Sequence, residues 1–300
     1  MIIGQSGSVL RLLAWQWRFL LLATGAAAAV TLLYMETDHR WFVLPTMPAV
    51  VVGAALGIFV SFRTNSSYDR WWEGRKLWGR LVNTSRHLAI EAHRYVPDAQ
   101  ADTRNHIIHR HIAYVHTLRA VLRGQDPLAD DNVVRYLTEE EQTALTGSTN
   151  HCARLLDMQM ADVVALEKDG VIDAFRTQSL DESVRHLLDI QGGCERIKKT
   201  PLPRIYGFFA ERMIQWFSAL LPCAMVVTLE WITIPVTVLV AFGFKMISET
   251  GRVLEDPFNM YWNALPLSTM SRAIERNLLE IAGETDLPEP WPPLNKTVIM

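Results

Sequence analysis

The chain has 300 residues, of which 49% are hydrophobic and 20% are charged, and its formal net charge is -3. This composition excludes a disordered chain, because it supplies enough apolar side chains for a large core. A net charge so close to zero also gives no electrostatic reason to expect a nucleic-acid partner. The average hides a division, since both ends are apolar whereas residues 63–204 are polar and hold eight of the nine histidines.

Two apolar runs near the N-terminus are long enough to cross a membrane. "FLLLATGAAAAVTLLYM" (residues 19–35) has 17 uncharged residues and residues 41–62 have 22, where a bilayer crossing needs about 20. Only "ETDHR" separates the two runs, so they predict a helical hairpin with a short loop. Because the second run follows the first almost directly, the pattern favours a retained hairpin over a cleaved signal peptide.

Two further apolar runs, residues 213–229 and 231–244, predict a second pair of spans. Glu230 separates them and is predicted to lie at a turn, because an unpaired carboxylate at the bilayer centre costs several kcal/mol. Lys and Arg residues, among them Arg11 and Arg18, flank the outer ends of both pairs, whereas the short loops within the pairs contain only Arg40. The positive-inside rule then predicts that both termini and the polar middle are cytoplasmic. The alternative is a soluble all-α protein with four buried helices.

The polar middle predicts further helices. Residues 106–124 end at a glycine and place four side chains on one helical face: Ile107, His111, Tyr114 and Leu118. Thr138, three residues before Glu141, predicts a capping box. An amphipathic helix is predicted from about residue 173, with a break near Gly192 and Gly193; its apolar positions are Phe175, Leu180, Val184, Leu187 and Leu188. The Pro-rich residues 284–300 predict an extended tail.

Histidines in the first of these helices are candidate metal ligands: His106, His109, His111 and His116. Only His106 and His109 have the spacing of one helical face, because a separation of two residues turns the side chain by about 200°. The pattern favours a solvated basic helix face over a membrane metalloenzyme. The sequence therefore predicts no metal site, no cofactor and no catalytic residue.

Charged residues after the second span have a plain structural interpretation. Asp69 and Glu73 lie on one helix face that continues with Lys76 and Arg80, which predicts ion pairs on the helix surface. Three widely spaced cysteines predict reduced thiols in place of a disulfide framework; they are Cys152, Cys194 and Cys223.

A stripe on the second span consists of Ala54, Ile58 and Phe62, at spacings of four residues. These side chains share one side of a helix, and the stripe ends beside Arg63. Helix packing explains most such stripes. If several copies of this helix surrounded an axis, however, the stripe would form an apolar constriction that gates by dewetting.

Three motifs in order resemble the bacterial branch of the bestrophin family. "FRTNSSYDRWWEGRKLWG" follows the second span, "IQGGCERIKKTPLPRIYGFF" precedes the third, and "EDPFN" follows the fourth. The resemblance covers nearly the whole chain. Its first motif identifies the following signature residues: Arg63, Tyr68, Arg70, Trp71, Trp72 and Glu73.

The resemblance implies an all-α membrane protein with four transmembrane helices per subunit and a large helical cytoplasmic domain, assembled as a homopentamer around one axial pore. It places the pore neck at Ala54, Ile58 and Phe62, and a cytosolic aperture at Phe175 with Ile172 as the second choice. The implied domains are residues 1–62 (N-terminal segment and transmembrane helices 1 and 2), 63–204 (cytoplasmic helices), 205–247 (transmembrane helices 3 and 4) and 248–300 (cytoplasmic helix and Pro-rich tail).

The same resemblance implies a passive ion channel of the bacterial inner membrane, whose partners are copies of itself, the lipid bilayer and permeant monovalent ions. Similarity to the bacterial branch favours cations. Anion-selective animal members have two aromatic neck positions, whose ring edges attract anions, whereas this chain has only Phe62. An anion channel, a His-ligated metalloenzyme and a membrane scaffold are the alternatives. Calcium activation is not expected, because "NMYWNALPL" replaces the acidic run that follows Pro257 and Phe258 in animal members.

Overall fold

The computed structural model describes residues 13–261 and 263–292, and this part of the chain is helical without a strand. The α-helices, in chain order, are α1 (Trp17–Glu36), α2 (Thr46–Tyr95), α3 (Ala101–Leu122), α4 (Asp131–Val134), α5 (Glu139–Thr146), α6 (His151–Lys168), α7 (Ala174–Lys199), α8 (Arg204–Leu229), α9 (Thr233–Leu254) and α10 (Leu267–Ala282). The predicted all-α class is confirmed for these residues. Arg11 and the tail residues 293–300 lie outside them.

The chain divides into two compact units. We call residues 13–70 and Pro201–Asp256 the apolar unit, because they contain α1, the first half of α2, α8 and α9. Trp71–Thr200 and the described residues from 257 to 292 form the polar unit. Helix α2 runs without interruption from one unit into the other.

The apolar unit contains the helices that fit a membrane. Among the described residues, three helical stretches are long and apolar enough to cross one: Trp17–Glu36, Thr46–Tyr95 and Arg204–Leu254. Large apolar side chains on these helices are exposed, as shown by Leu22 at 75% and Leu239 at 70%. Such exposure is unfavourable in water and normal in lipid.

The loop between α1 and α2 is longer than predicted. Residues 41–45 are not helical, and α2 begins at Thr46. Its first turn contains Pro48, which is tolerated there because the missing N–H would have no helical acceptor. The loop is attached to α8, since Leu44 N donates to Cys223 O at 3.0 Å and Thr46 Oγ1 donates to Ala224 O at 3.0 Å.

Glu230 forms the predicted turn between the last two apolar helices. Helix α8 ends at Leu229, a 3-10 turn covers Glu230–Ile232, and α9 begins at Thr233. Glu230 has φ 46° and ψ -125°, a backbone conformation outside the helical range that ends the helix. The turn is therefore confirmed.

Helix α3 lies at the centre of the polar unit and is buried on most sides. His111 is 1% exposed and His116 is 0% exposed, so the predicted solvated face is wrong for these two histidines, whereas the side chains of His106 and His109 are 32% and 33% exposed. Burial lowers the pKa of His111 to about 3, which keeps its ring neutral. The histidines were misread because α6, α7 and α10, which pack around α3, come from distant parts of the chain.

Helix α7 continues through Gly192 and Gly193, so the predicted break is wrong. A Cβ atom on Gly193 would lie 2.9 Å from Leu77 Cδ2, closer than side chains pack. The glycine therefore allows α7 to approach α2 within the polar unit. Leu180, Val184 and Leu187 are buried as predicted.

Thr138 and Glu141 form the predicted capping box at the start of α5. Glu141 N donates to Thr138 Oγ1 at 3.2 Å, and Thr138 N donates to Glu141 Oε2 at 2.9 Å. Burial alone would raise the pKa of Glu141, but hydrogen bonds from His106, the Thr138 backbone and Arg110 outweigh it and lower the pKa to about 2.

This carboxylate makes folding sensitive to acid. Because the folded pKa of about 2 is below the ordinary 4.5, Glu141 contributes about 3 kcal/mol at neutral pH, and roughly half of that is lost by pH 3. The thermal stability lost in Glu141→Gln should therefore be smaller at pH 3 than at pH 7. Glu140→Gln, at an exposed neighbouring position, is the control. Equal losses for Glu141→Gln at both pH values would contradict this assignment.

Candidate pore-lining helix

The first half of α2 has one packed face and one exposed face. Leu56 and Val60 are buried against α8, in a cluster that includes Ile214 and Phe217. On another side, Ile58 is 59% exposed, Phe62 is 69% exposed, and Ala54 is also exposed. Because this segment is apolar on all sides, its hydrophobic periodicity does not distinguish the packed face from the exposed face. The packing of α8 and α9 against one side does.

Two glycines mark the packed face. A Cβ atom on Gly53 would lie 3.0 Å from Phe217 Cζ, and one on Gly57 would lie 3.7 Å from Phe244 Cε1. The two phenylalanine rings meet edge to face, with centroids 5.5 Å apart. Gly53 and Gly57 are spaced as in the GxxxG pattern, which lets membrane helices approach closely. This signal in the sequence was missed, and it would have identified the packed face.

The exposed stripe continues beyond the three predicted neck residues. Met47 is 73% exposed and Val51 is 62% exposed on the preceding turns. On the following turns, Asn65 and Asp69 are exposed within the same arc of about 80°. The stripe is thus apolar from Met47 to Phe62 and polar after it.

Arg63 anchors α2 immediately after Phe62, the last apolar residue of the stripe. Its side chain is buried, its Nη2 lies 3.6 Å from Glu255 Oε2, and its Nη1 donates to Ser248 Oγ at 3.2 Å. A Cβ atom on Gly207 would lie 3.1 Å from Arg63 Nη2. A buried charge is stable only when it is paired, so Glu255 and Ser248 fix the rotation of α2 relative to α9.

The other signature residues extend this anchor. Arg70 Nε donates to Glu255 O at 3.2 Å in the apolar unit. In the polar unit, Trp71 Nε1 donates to Asn263 O at 3.0 Å, and Trp71 stacks on Trp72 with ring centroids 6.4 Å apart. Tyr68 is 49% exposed. The signature therefore holds α2 in place along two turns.

The predicted ion pairs along the surface of α2 are not found among the described residues. Glu73 pairs with Arg196 of α7, not with Lys76 or Arg80. Asp69 has no ion-pair partner among the described residues. Its carboxylate therefore remains exposed on the stripe.

The two aperture candidates lie in different surroundings. Phe175, at the start of α7, is 85% exposed. Ile172 is 3% exposed and belongs to the core of the polar unit, so its prediction as an aperture residue is wrong. The cause is the turn at Gly170, where φ is +67° and the N–H groups of Val171 and Ile172 return to Leu166 O at 2.9 and 3.3 Å.

Two partly exposed histidines of α3 contact carboxylates. His106 lies 3.2 Å from Glu141, and His109 lies 2.6 Å from Glu284. Within the described residues, no group of three His, Cys, Asp or Glu side chains is arranged to hold a metal ion. All three cysteines are free, and burial raises the pKa of Cys194 to about 12.

Comparison with known proteins identifies the family. The family sequence model described as bacterial and fungal bestrophin protein matches residues 1–280. A voltage-dependent anion channel-forming protein of Mesorhizobium japonicum is 34% identical over 250 residues, which cover 82% of this chain and 79% of that protein. YneE of Escherichia coli K12, named in the same way, is 34% identical over 241 residues, or 80% of this chain and 78% of that protein.

Solved structures support the same family assignment. The crystal structure of a bacterial bestrophin homologue from Klebsiella pneumoniae matches with a TM-score of 0.84 and 31% identity, over 88% of this chain and 97% of that one. The predicted resemblance is confirmed. The chain belongs to the bacterial and fungal bestrophin family, and its members are ion channels, not enzymes.

Proposed function

We propose that the chain forms a passive ion channel in which α2 of each subunit lines one axial pore. The observation that carries this proposal is the exposed apolar stripe opposite the glycine-marked packed face. In a homopentamer, Ala54, Ile58 and Phe62 would surround the axis as an apolar neck, and Phe175 would form the cytosolic aperture. Apolar rings of this kind gate conduction by dewetting.

The proposed topology has four crossings, with both termini cytoplasmic in the bacterial inner membrane. The exposed apolar helices of the apolar unit support the crossings. The turn at Glu230 separates the third crossing from the fourth. Cationic residues beside the cytoplasmic ends, such as Arg18, Arg204 and Arg212, support the orientation. Residues 63–204 would then form the cytoplasmic domain, and residues 248–300 the cytoplasmic helix and tail.

Anions are the first candidate for the permeant ion. The curated relatives in Mesorhizobium japonicum and Escherichia coli are named as anion channel-forming proteins. These names run against the preference for cations that similarity to the bacterial branch implies. Phe62 is the aromatic side chain of the neck, and its ring edge can attract an anion.

Monovalent cations remain the second candidate because of Asp69. This exposed carboxylate has no ion-pair partner among the described residues, and it follows Phe62 on the same stripe. In a symmetric assembly, the carboxylates would form an acidic ring, which attracts cations. No Lys or Arg lies on the stripe from Met47 to Asp69.

A reversal-potential measurement in planar bilayers tests both whether the protein conducts ions and which ion permeates. Purified oligomers in a KCl gradient should give currents that reverse near the chloride equilibrium potential if anions permeate, and near the potassium potential if cations do. Asp69→Asn should move the reversal potential toward that of chloride, whereas Asp102→Asn, on the surface of the polar unit, should leave it unchanged. Intact oligomers without single-channel currents would contradict the channel itself.

A further inference from the structure

A cavity of about 900 Å³ lies in the apolar unit between α1, α8 and α9. It is away from the stripe of α2, and none of the proposed neck residues lines it. Its walls combine three cationic side chains, several aromatic rings and a set of small apolar residues. None of the described residues that line the cavity is acidic.

The cations are Arg18, Arg212 and Lys245. Arg18 and Arg212 are exposed, and neither makes an ion pair with an acid among the described residues. Arg212 Nη1 donates to Gln215 Oε1 at 2.8 Å, so a neutral group holds this guanidinium. The positive charge of both arginines is therefore available to a ligand.

Lys245 differs from the two arginines because it is largely neutralised. Its Nζ lies 3.1 Å from Glu249 and 3.5 Å from Glu211, and its side chain is 13% exposed. The ammonium group also lies 6.0 Å from the centroid of the Phe19 ring. Lys245 thus forms the fixed inner wall of the cavity, and the arginines provide its net charge.

The remaining wall is apolar and narrow. Ala23, Ala26 and Ala219 are small and leave a groove beside α1, whose neighbouring Leu22 is 75% exposed. At the cationic end, Trp15 is 40% exposed and Trp17 is 53% exposed. Tryptophans of this kind lie at the level of lipid head groups.

We propose that this cavity binds one anionic phospholipid, with its phosphate at Arg18 and Arg212 and an acyl chain along the alanine groove. Charge complementarity favours an anion, because two guanidiniums without an acidic partner in the described part of the chain lie at a cavity whose described lining has no carboxylate. The apolar groove favours a lipid over free phosphate, since an inorganic ion would leave it empty. Basic pockets between membrane helices on the cytoplasmic side are known to bind anionic head groups.

Native mass spectrometry of the purified oligomer tests this site. We would titrate phosphatidylglycerol and, in parallel, phosphatidylcholine with the same acyl chains. Wild-type protein should bind phosphatidylglycerol in preference. Arg18→Gln combined with Arg212→Gln should weaken that binding about tenfold, because each cation near a head group contributes to its attraction.

The matched control carries the same change of charge elsewhere in the apolar unit. Arg40→Gln combined with Arg204→Gln removes two arginines that do not line the cavity and should retain the preference. Equal wild-type affinity for both lipids would overturn the proposal, as would an equal loss in the control. Competition by millimolar inorganic phosphate as strong as that by lipid would assign the site to a free anion and also overturn it.

The oligomeric state distinguishes the lipid from a second copy of the chain. If a neighbouring subunit filled the cavity, the double variant should dissociate the oligomer in size-exclusion chromatography, which would contradict lipid binding. An intact oligomer that has lost its lipid preference would support the proposal. Because the readout is lipid binding, it does not depend on whether the protein conducts ions.

Discussion

Ile58→Ala or Phe62→Ala should increase single-channel conductance or open probability severalfold. Both side chains are exposed in the subunit, at 59% and 69%. In the proposed pore, each substitution widens an apolar ring once per subunit and makes its hydration easier. The folded subunit should be little affected, because neither side chain belongs to the packed cluster of Leu56 and Val60. Single-channel recording in planar bilayers measures the change.

A control must be equally apolar and equally exposed but off the stripe. Leu239 of α9 is 70% exposed, so Leu239→Ala removes a comparable apolar surface from the same unit. It should leave the currents as in the wild type. If both neck variants also retained wild-type currents in intact oligomers, the stripe would be a packing surface and not a pore lining.

Glu275→Ala should be the most destabilising single substitution considered for the polar unit. The side chain is 0% exposed and has four partners; it accepts hydrogen bonds from Tyr136 at 2.7 Å and from Arg135, and lies 3.1 Å from His116 and 2.9 Å from Arg272. Removing one partner of a buried ion pair costs about 3–5 kcal/mol, because the remaining charge is uncompensated. A large fall in the thermal unfolding temperature is expected.

Two further substitutions show how much of the expected loss of stability comes from the charge of Glu275. Glu280→Ala lies on the same helix, α10, at an exposed position, and should cost little. Glu275→Gln keeps the size and part of the hydrogen bonding, so its unfolding temperature should lie between those of wild type and Glu275→Ala. The assignment of Glu275 as a buried anchor fails if Glu275→Ala is as stable as Glu280→Ala.

Local chemistry made several features of the fold predictable. The apolar runs located the helices of the apolar unit, Glu230 located the turn, and Thr138 with Glu141 located a helix start. Each of these signals acts over a few neighbouring residues. The surroundings of His111 and the continuity of α7 through Gly193 depend on partners distant in sequence, so a single sequence does not display them.

Contacts between residues distant in sequence also limited what could be predicted for the candidate site. Ala54, Ile58 and Phe62 could be grouped by helical spacing, and the spacing of Gly53 and Gly57 marks a packed side, but the sequence does not show that α8 and α9 are the helices that pack there. Ile172 was misplaced because the backbone at Gly170 turns it into the core. The pair of Arg63 with Glu255 joins residues that are distant in sequence, and no local pattern indicates it.

The two faces of α2 also differ in how well they tolerate substitutions during evolution. Residues on its glycine-marked side are held by packing, so a larger side chain at Gly53 would meet Phe217. Residues on the stripe contact little within the subunit, and substitutions there cost it little folding energy. Mutation can therefore retune the conductance or ion preference of such a helix while its folding is preserved. This separation would let channels with different properties diverge from one stable scaffold.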